Sequence, residues 1–184
     1  MIVLTKSLLL GEGNERACYL HPEVQGKCIK INKPSFIGKP EQSLIEFDYY
    51  QSLKKREVAF EFIPQCYGFV ETNMGEGLVF ERIETVKGRS LNLRQALDEG
   101  FFDKDSAASM AMDLYKYLVV NGIALSDISQ ENLIYSSVRE RLYLVDGIGA
   151  RNYDYKYISK KYFVGLARWK TRRQWKRYSS KLEL

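Results

Sequence analysis

The distribution of apolar residues changes character near Gly88, and this change constrains the fold more than any other feature of the sequence. Before it, short apolar runs separated by turn-forming residues predict strands, and one longer run with helical spacing predicts a helix at residues 40–55. The strands are predicted at residues 4–10, 17–20, 27–31, 63–70 and 77–83. After it, the predicted elements are helices at 91–99 and 104–120 and a strand hairpin formed by 132–135 and 142–145.

This order of elements predicts an α+β protein with two lobes. Residues 1–83 would form a β-rich N-terminal lobe and residues 84–184 a small helical C-terminal lobe, since 184 residues suit one domain or two small lobes. A cleft between two such lobes is the usual place for a small ligand. We therefore expect the functional residues to lie where the lobes meet.

The scarce residue types exclude several classes of function. A single histidine, His21, cannot build a histidine-rich zinc site, and the G-x-S-x-G motif of a serine hydrolase is missing from the sequence. Three cysteines without a C-x-x-C pair predict small buried residues in a reducing compartment, not a disulfide scaffold. No apolar stretch approaches the roughly 18–20 residues that span a bilayer, and the N-terminus lacks the basic region of a signal peptide. We expect a cytoplasmic protein.

Basic residues are concentrated towards the C-terminal end. The formal net charge is +5, and residues 151–184 contain 11 Lys or Arg against 2 Asp or Glu. Helical spacing places Trp175 and Leu182 on one face and Arg172 and Lys176 on another. Two interpretations fit this pattern. The helix packs its aromatic face on the body and leaves a solvated basic face, or it contacts anionic lipid or nucleic acid.

Two features of the first 83 residues have the chemistry of a phosphate site. Gly11 and Gly13 lie between the first two predicted strands, where missing side chains let the backbone approach a phosphate, although a hairpin turn explains them as well. Lys30 lies between apolar residues of the third predicted strand. It is either an exposed strand lysine or a cation that points into the cleft and pairs with a carboxylate of the next helix. Glu46 is the first candidate for that carboxylate and Asp48 the second.

A second group of polar residues follows the long predicted helix. Asp127 and Asn132 lie in the stretch that leaves this helix, and Asp146 ends the predicted hairpin. Phosphoryl transfer requires metal ligands and an acceptor for the proton of the attacking hydroxyl. Asn132 and Asp146 offer oxygen ligands for Mg²⁺, and Asp127 offers the base. The local alternatives are a turn at Asp146 and a helix cap at Asp127.

The order of these residues resembles the protein-kinase-like fold, whose signature is a glycine-rich loop, a strand lysine, a helix glutamate, a D-x-x-x-x-N loop and a metal-binding aspartate. Four stretches are more narrowly similar to the bacterial YrbL family of PhoP regulatory network proteins. They are residues 11–22 (GEGNERACYLHP), 75–81 (GEGLVFE), 126–132 (SDISQEN) and 145–149 (VDGIG). The resemblance extends over about residues 4–177.

The resemblance implies a site for ATP and Mg²⁺ at the matching positions. The positions implied for nucleotide binding are Gly11, Gly13, Lys30, Glu46, Glu81 and Ile83. The catalytic positions are Asp127 and Lys30, and the metal ligands are Asn132 and Asp146. Lys30 would contact the α- and β-phosphates with Glu46 as its ion-pair partner, and residues 80–83 would bind adenine through their backbone.

The sequence departs from the protein-kinase pattern at several places. Arg16 stands where the third glycine of the loop would be, and Leu125 and Ser126 replace the His-Arg pair before the catalytic aspartate. Gly147 stands in place of the phenylalanine that follows the metal-binding aspartate. No Ala-Pro-Glu motif follows, and 38 residues remain after Asp146. The departures favour a small acceptor over a protein substrate.

These features predict a Mg²⁺-ATP-dependent phosphotransferase that acts on a small, sugar-like or lipid-linked acceptor, and the resemblance to the YrbL family implies a PhoP-type regulatory or stress context. Residues 151–184 would supply cations near an anionic acceptor and allow peripheral contact with the inner membrane. The alternative is an inactive, pseudokinase-type regulatory scaffold that binds an acidic partner or an anionic surface through its basic tail. Nucleic-acid binding through this tail is the third and less favoured hypothesis.

Overall fold

The computed structural model describes residues 1–33, 42–149 and 163–182, apart from the side chains of Tyr178 and Lys181. Its strands form two sheets. The first contains β1 (Leu9–Glu12), β2 (Arg16–Leu20), β3 (Lys27–Asn32), β4 (Cys66–Thr72) and β5 (Gly75–Glu81), in the order β1-β2-β3-β5-β4 with antiparallel neighbours. The second contains β6 (Leu91–Asn92), β7 (Leu133–Ser136) and β8 (Arg141–Leu144), in this order and also antiparallel.

Helices connect and cover these sheets. Within the described ranges they are α1 (Gln42–Lys55), α2 (Leu93–Asp98), α3 (Lys104–Val120) and α4 (Val164–Tyr178), with short 3-10 turns at Lys6–Leu8, Gln130–Asn132 and Ser179–Leu182. The combination of antiparallel sheets and separate helices confirms the predicted α+β class. In the same ranges, none of the helices combines the length and the apolar character that crossing a bilayer takes.

The longest helix, α3, has the bounds that the sequence predicts. Ala111 and Leu118 lie on its buried face. Asp103 caps its start by accepting a hydrogen bond from Ser106 N at 2.8 Å. The helix ends before Gly122, whose φ of +57° is a conformation that favours glycine. Apolar spacing, a cap and a glycine stop therefore agree on this element.

One continuous hydrophobic core joins the first sheet to the helices that follow it. Buried residues of β3, β5 and α1 belong to the same cluster as those of α2, α3 and the second sheet. The hydroxyl of Tyr49, on α1, accepts a hydrogen bond from Ala124 N at 2.8 Å. Leu144 N, on β8, donates to Phe62 O at 2.9 Å. The first bond fixes α1 to the segment after α3, and the second fixes β8 to the segment between α1 and β4.

Most predicted elements are present, with shifted ends. The strands predicted at residues 17–20 and 27–31 are confirmed as β2 and β3, and the hairpin is confirmed as β7 and β8, each one residue from its predicted place. The predicted helix is confirmed as α1 from Gln42 onward, while residues 40–41 lie outside the described residues. Of the cysteines predicted to be small buried residues, two are buried and Cys18 is half-buried.

The strand predicted at residues 4–10 is wrong over most of its length, because a 3-10 turn precedes β1. Leu4 is buried against Ile29 and Val79, on the face of the first sheet opposite α1. Its N–H donates to Asn73 Oδ1 at 2.7 Å. The apolar N-terminal residues therefore cover this second face of the sheet instead of extending β1.

Two other predicted ends shift for local reasons. The segment predicted as a helix from residue 91 begins with the two residues of β6, and Asn92 then caps α2 in a capping box with Gln95. The strand predicted from residue 63 begins at Cys66. Pro64 has no N–H to donate to a strand ladder, which explains the later start.

The C-terminal helix α4 packs one face on the body, as the first interpretation of the basic tail predicts. Trp175 stacks on Tyr115 of α3, with ring centroids 4.8 Å apart. Thr171 accepts a hydrogen bond from Leu125 N at 2.9 Å. The stacking and this hydrogen bond fix the helix to α3 and to the segment that follows it. Residues 150–162 of the tail lie outside the described residues.

Two neighbouring tyrosines of α1 give a matched test of how this helix packs on the rest of the chain. Tyr49→Phe leaves the buried Ala124 N–H without its acceptor, so we expect the free energy of unfolding to fall by about 1–3 kcal/mol. Tyr50 is also buried, and its hydroxyl has no hydrogen-bond partner among the described residues. Tyr50→Phe should therefore leave stability unchanged or raise it. Chemical denaturation measures both variants, and equal losses would contradict the described position of α1.

Candidate functional site

Lys30 and Glu46 form a buried ion pair between β3 and α1. The register of the first sheet places Lys30 opposite Cys18 of β2 and Leu78 of β5, so its side chain leaves the sheet on the face that α1 covers. Lys30 Nζ lies 3.0 Å from Glu46 Oε1, and the two side chains are 12% and 7% exposed. The structure therefore pairs Lys30 with the first of the two carboxylates that the sequence offered.

Arg16 shares the same carboxylate. It lies on β2 two residues before Cys18, hence on the face that carries Lys30, and its Nη1 donates to Glu46 Oε2. Its Nη2 lies 3.6 Å from Asp146 Oδ1. Sequence reasoning noted Arg16 only as the replacement for a glycine. The two-residue alternation along β2 is the signal that could have placed it beside Lys30.

Both cations keep their protons at neutral pH. Burial alone would lower the pKa of Arg16, but the charges of Glu46 and Asp146 outweigh burial and raise it. Burial also opposes the charged form of Lys30, and Arg16 adds repulsion, yet the two carboxylates raise the pKa of Lys30 above its usual value. The cluster therefore keeps two positive charges beside the carboxyl groups of Glu46 and Asp146.

Lys30 also connects the first sheet to the segment after β8. Its Nζ donates to Val145 O at 3.0 Å and lies 4.5 Å from the centre of the Phe80 ring. The next residue, Asp146, accepts a hydrogen bond from Gly147 N at 2.7 Å, and its side chain is 55% exposed. The buried ammonium group is thus held one residue away from the predicted metal ligand.

Asp127 is held against Gly147 by the backbone. The N–H groups of Ser126 and Asp127 donate to Gly147 O at 2.6 and 3.1 Å. Gly147 has a φ of +83°, and a Cβ at this position would lie 2.2 Å from Asp127 O. Only glycine fits so close a contact. The segments that carry Asp127 and Asp146 are therefore packed directly on one another.

The backbone of Asn132 meets the same segment. Asn132 ends the 3-10 turn Gln130–Asn132, and its carbonyl accepts a hydrogen bond from Val145 N at 3.0 Å. Its amide oxygen and the carboxylate of Asp146 are the types of ligand that Mg²⁺ uses. In residues 1–33, 42–149 and 163–182, no group of three or more His, Cys, Asp or Glu side chains could hold a metal ion.

Gly11 lies on β1, and Gly13 lies in the turn between β1 and β2. Gly11 is opposite Cys18, and Gly13 N donates to Arg16 O at 2.8 Å. Neither glycine has a positive φ. An added Cβ would meet nothing within 4 Å at Gly11, and only Arg16 O, at 3.6 Å, at Gly13. Nothing in the described chain therefore requires glycine at these two positions.

Glu81 and Ile83, the predicted hinge residues, lie at and just after the end of β5. The carboxylate of Glu81 accepts a hydrogen bond from Gln65 N at 3.2 Å and pairs with Arg139 Nη2 at 2.8 Å. Ile83 is buried, and its carbonyl accepts a hydrogen bond from Ser90 Oγ at 2.7 Å. Both residues are therefore bonded to other parts of the chain.

Comparison with known proteins decides the family. The family model described as PhoP regulatory network protein YrbL matches residues 2–183. The YrbL proteins of Escherichia coli (strain K12) and Shigella flexneri are each 31% identical to the chain over 143 residues, which make up 76% of the chain and 68% of each relative. The chain belongs to the YrbL family. The resemblance seen in the sequence is thereby confirmed at the family level, together with its link to the PhoP regulatory network.

In this YrbL-family structure three of the predicted residues belong to one ion-pair cluster: Lys30, Glu46 and Asp146. Glu81 and Ile83 are bonded to other parts of the chain. Lys30 and Glu46 are in direct contact, and Arg16 connects them to Asp146. Backbone hydrogen bonds place Asp127 against the residue that follows Asp146. A fixed buried cation beside a half-exposed carboxylate can bind an anion and a divalent cation side by side.

Proposed function

We propose that this YrbL-family protein is a Mg²⁺- and ATP-dependent phosphotransferase with a protein-kinase-like fold. In this proposal residues 1–83 form an N-terminal lobe, residues 84–184 form a smaller C-terminal lobe, and ATP binds between them. The observation that carries the proposal is the buried Lys30–Glu46 ion pair, whose ammonium group is also bonded to the residue before Asp146.

Lys30 would provide fixed positive charge for phosphate oxygens. Two of its three N–H donors face Glu46 Oε1 and Val145 O, and the third would donate to a phosphate oxygen. The open space at Gly11 and Gly13 supports the same proposal, because the turn can approach a phosphate where internal packing does not require glycine.

Asn132 and Asp146 fit a magnesium site by their chemistry. Mg²⁺ is usually bound by one or two protein oxygens together with water and phosphate, and the Asp146 side chain is 55% exposed. When bound, Mg²⁺-ATP supplies the transferable phosphoryl group and neutralises part of its charge. The side chains would then hold these groups in place and move one proton.

Asp127 is the proposed base for that proton. Its backbone is bonded to Gly147 O, so its side chain stays close to the segment of Asp146. In phosphoryl transfer the protein mainly positions the reactants. Asp127 would orient the acceptor hydroxyl and take its proton while the hydroxyl oxygen forms a bond to the γ-phosphorus of ATP. The bond between that phosphorus and the β-phosphate oxygen would break, and ADP would leave.

The position of α4 suggests the chemistry of the acceptor. Lys170 Nζ lies 3.4 Å from Ser126 Oγ, and Gln174 Nε2 donates to Ser126 O at 3.3 Å. A basic helix therefore borders the residue before Asp127. A cation at this place favours an acceptor that carries negative charge. We therefore propose a small, sugar-like or lipid-linked acceptor bearing a phosphate.

Nucleotide binding can be tested through the melting temperature of the whole chain. A ligand at about 100 times its Kd stabilises a protein by roughly 2.7 kcal/mol, which corresponds to a shift of several degrees for a chain of this size. We expect Mg²⁺-ATP to produce this shift, and ATP with a chelator or the Asp146→Asn variant to lose most of it. An unchanged melting temperature in millimolar Mg²⁺-ATP would contradict the proposal.

Gly13→Ala sharpens the same experiment. An added methyl group would contact only Arg16 O, so the melting temperature of the ligand-free variant should equal that of the wild type. The shift caused by Mg²⁺-ATP should shrink, because the methyl group occupies space proposed for phosphate. Gly165→Ala, on α4, is the matched control, since its Cβ position is also open and far along the chain from the turn.

The outer face of α4 favours a second candidate function, a regulatory scaffold that binds an anionic surface. The helix contains basic residues and no Asp or Glu. Trp169 is 58% exposed on the face opposite the buried Thr171, and Arg173 lies 5.4 Å above its ring. An exposed tryptophan among cations is typical of helices that bind at a lipid interface. In this candidate function α4 attaches the chain to a membrane surface.

Flotation with lipid vesicles tests the second candidate. We expect the chain to bind vesicles of anionic phospholipid, with weaker binding at high salt, and Trp169→Ser to reduce the bound fraction. Lys116→Gln is the control, because this exposed lysine of α3 pairs with Asp113 at 3.0 Å. Equal binding to neutral vesicles would contradict the preference for an anionic surface, and undiminished binding by Trp169→Ser would contradict attachment through α4.

A further inference from the structure

Arg16 places a permanent cation beside the carboxylate proposed to bind the metal. Its guanidinium lies between Glu46 and Asp146, in a side chain that is 13% exposed. We propose that Arg16 and a divalent cation compete for Asp146, so that the metal binds only when the guanidinium has moved away. This inference rests on the proposed function, because it concerns how the same site acquires its metal.

The charges of the cluster explain why the two cations exclude one another. Glu46 is 7% exposed and already accepts bonds from Lys30 and Arg16. Asp146, at 55% exposed, is the carboxylate of this cluster that an ion from solvent reaches. An ion on Asp146 Oδ1 would meet the guanidinium 3.6 Å from that atom. Arginine stays charged at any ordinary pH, so the repulsion is relieved only by movement of the side chain.

The two contacts of Arg16 differ in a way that permits this movement. The contact with Glu46, made by Nη1, is a close hydrogen bond between buried groups. The contact with Asp146, made by Nη2 at 3.6 Å, is longer than a hydrogen bond. Arg16 can therefore leave Asp146 and keep Glu46. Phosphate oxygens would offer Nη2 a new partner, so metal that arrives with a nucleotide should bind better than metal alone.

Direct binding of Mn²⁺ without nucleotide tests the competition, with free Mn²⁺ measured by electron paramagnetic resonance. We expect Arg16→Gln to bind Mn²⁺ at least about tenfold more tightly than the wild type, because one unit of positive charge beside the site is removed. Arg16→Lys keeps the charge and should stay closer to the wild type. Lys33→Gln is the matched control, since Lys33 pairs with Glu12 at 2.7 Å and its loss should change affinity less than twofold.

Adding the Asp146→Asn substitution tests whether the Mn²⁺ binds at Asp146. In the Arg16→Gln background it should abolish the gain in Mn²⁺ affinity. Circular dichroism spectra equal to the wild type establish that each variant is folded. If Arg16→Gln is not folded, Arg16→Met, which also removes the charge, takes its place with the same expected gain in Mn²⁺ affinity. Equal or weaker Mn²⁺ binding by Arg16→Gln, or Mn²⁺ binding as tight in Arg16→Lys as in Arg16→Gln, would overturn the competition.

The results distinguish a failure of the proposed competition from a failure of the proposed phosphotransferase function. If Mg²⁺-ATP raises the melting temperature but Arg16→Gln leaves Mn²⁺ affinity unchanged, the nucleotide site stands and the competition is wrong. If Arg16→Gln tightens Mn²⁺ binding through Asp146 but no variant responds to ATP, the competition stands and the phosphotransferase is wrong.

Discussion

The carboxylate of Glu46 is the interaction on which the rest of the site depends. It pairs with Lys30 of β3 and Arg16 of β2 while being 7% exposed, so two strands and α1 meet at one buried negative charge. Burying two cations is costly unless a carboxylate pairs with them, and removal of one partner of a buried pair typically costs about 3–5 kcal/mol. The docking of α1 on the first sheet and the position of the Lys30 ammonium group are therefore set by the same contact. Lys30 extends that contact to Val145, and through it to Asp146.

The parts of the fold that could be predicted are those where several local signals coincide. Helix α3 has apolar spacing, an Asp103 cap and a glycine stop, and its predicted bounds match the structure. The strand predicted at the N-terminal segment was wrong because apolar residues alone do not distinguish a strand from a turn that packs on a sheet. Its path is set by Leu4 packing on Ile29 and by a hydrogen bond to Asn73, which lies 69 residues away along the chain. Such a contact has no signature in a window of neighbouring residues.

The same limit applies to the candidate site. The chemical types of Lys30, Glu46 and Asp146 are visible in the sequence, and the structure brings them together. The alternation along β2 could have placed Arg16 on one face of the sheet, but its meeting with Lys30 and Glu46 also depends on the register between β2 and β3, which the sequence does not show. The packing of Gly147 on Asp127 also depends on a positive φ that a sequence pattern shows only as a glycine. Membership of the YrbL family links the chain to the PhoP regulatory network.

The most direct test of a nucleotide phosphate beside Lys30 is covalent labelling with an acyl-phosphate derivative of ATP. Such a reagent transfers its acyl group to a lysine amine that lies next to its phosphates, and peptide mass spectrometry identifies the modified lysine. The predicted result is acylation of Lys30 that excess Mg²⁺-ATP suppresses, with the exposed Lys116 of α3 as an internal reference that ATP does not protect. Labelling of surface lysines with no ATP-protected acylation at Lys30 would contradict a nucleotide site at the Lys30–Glu46 pair.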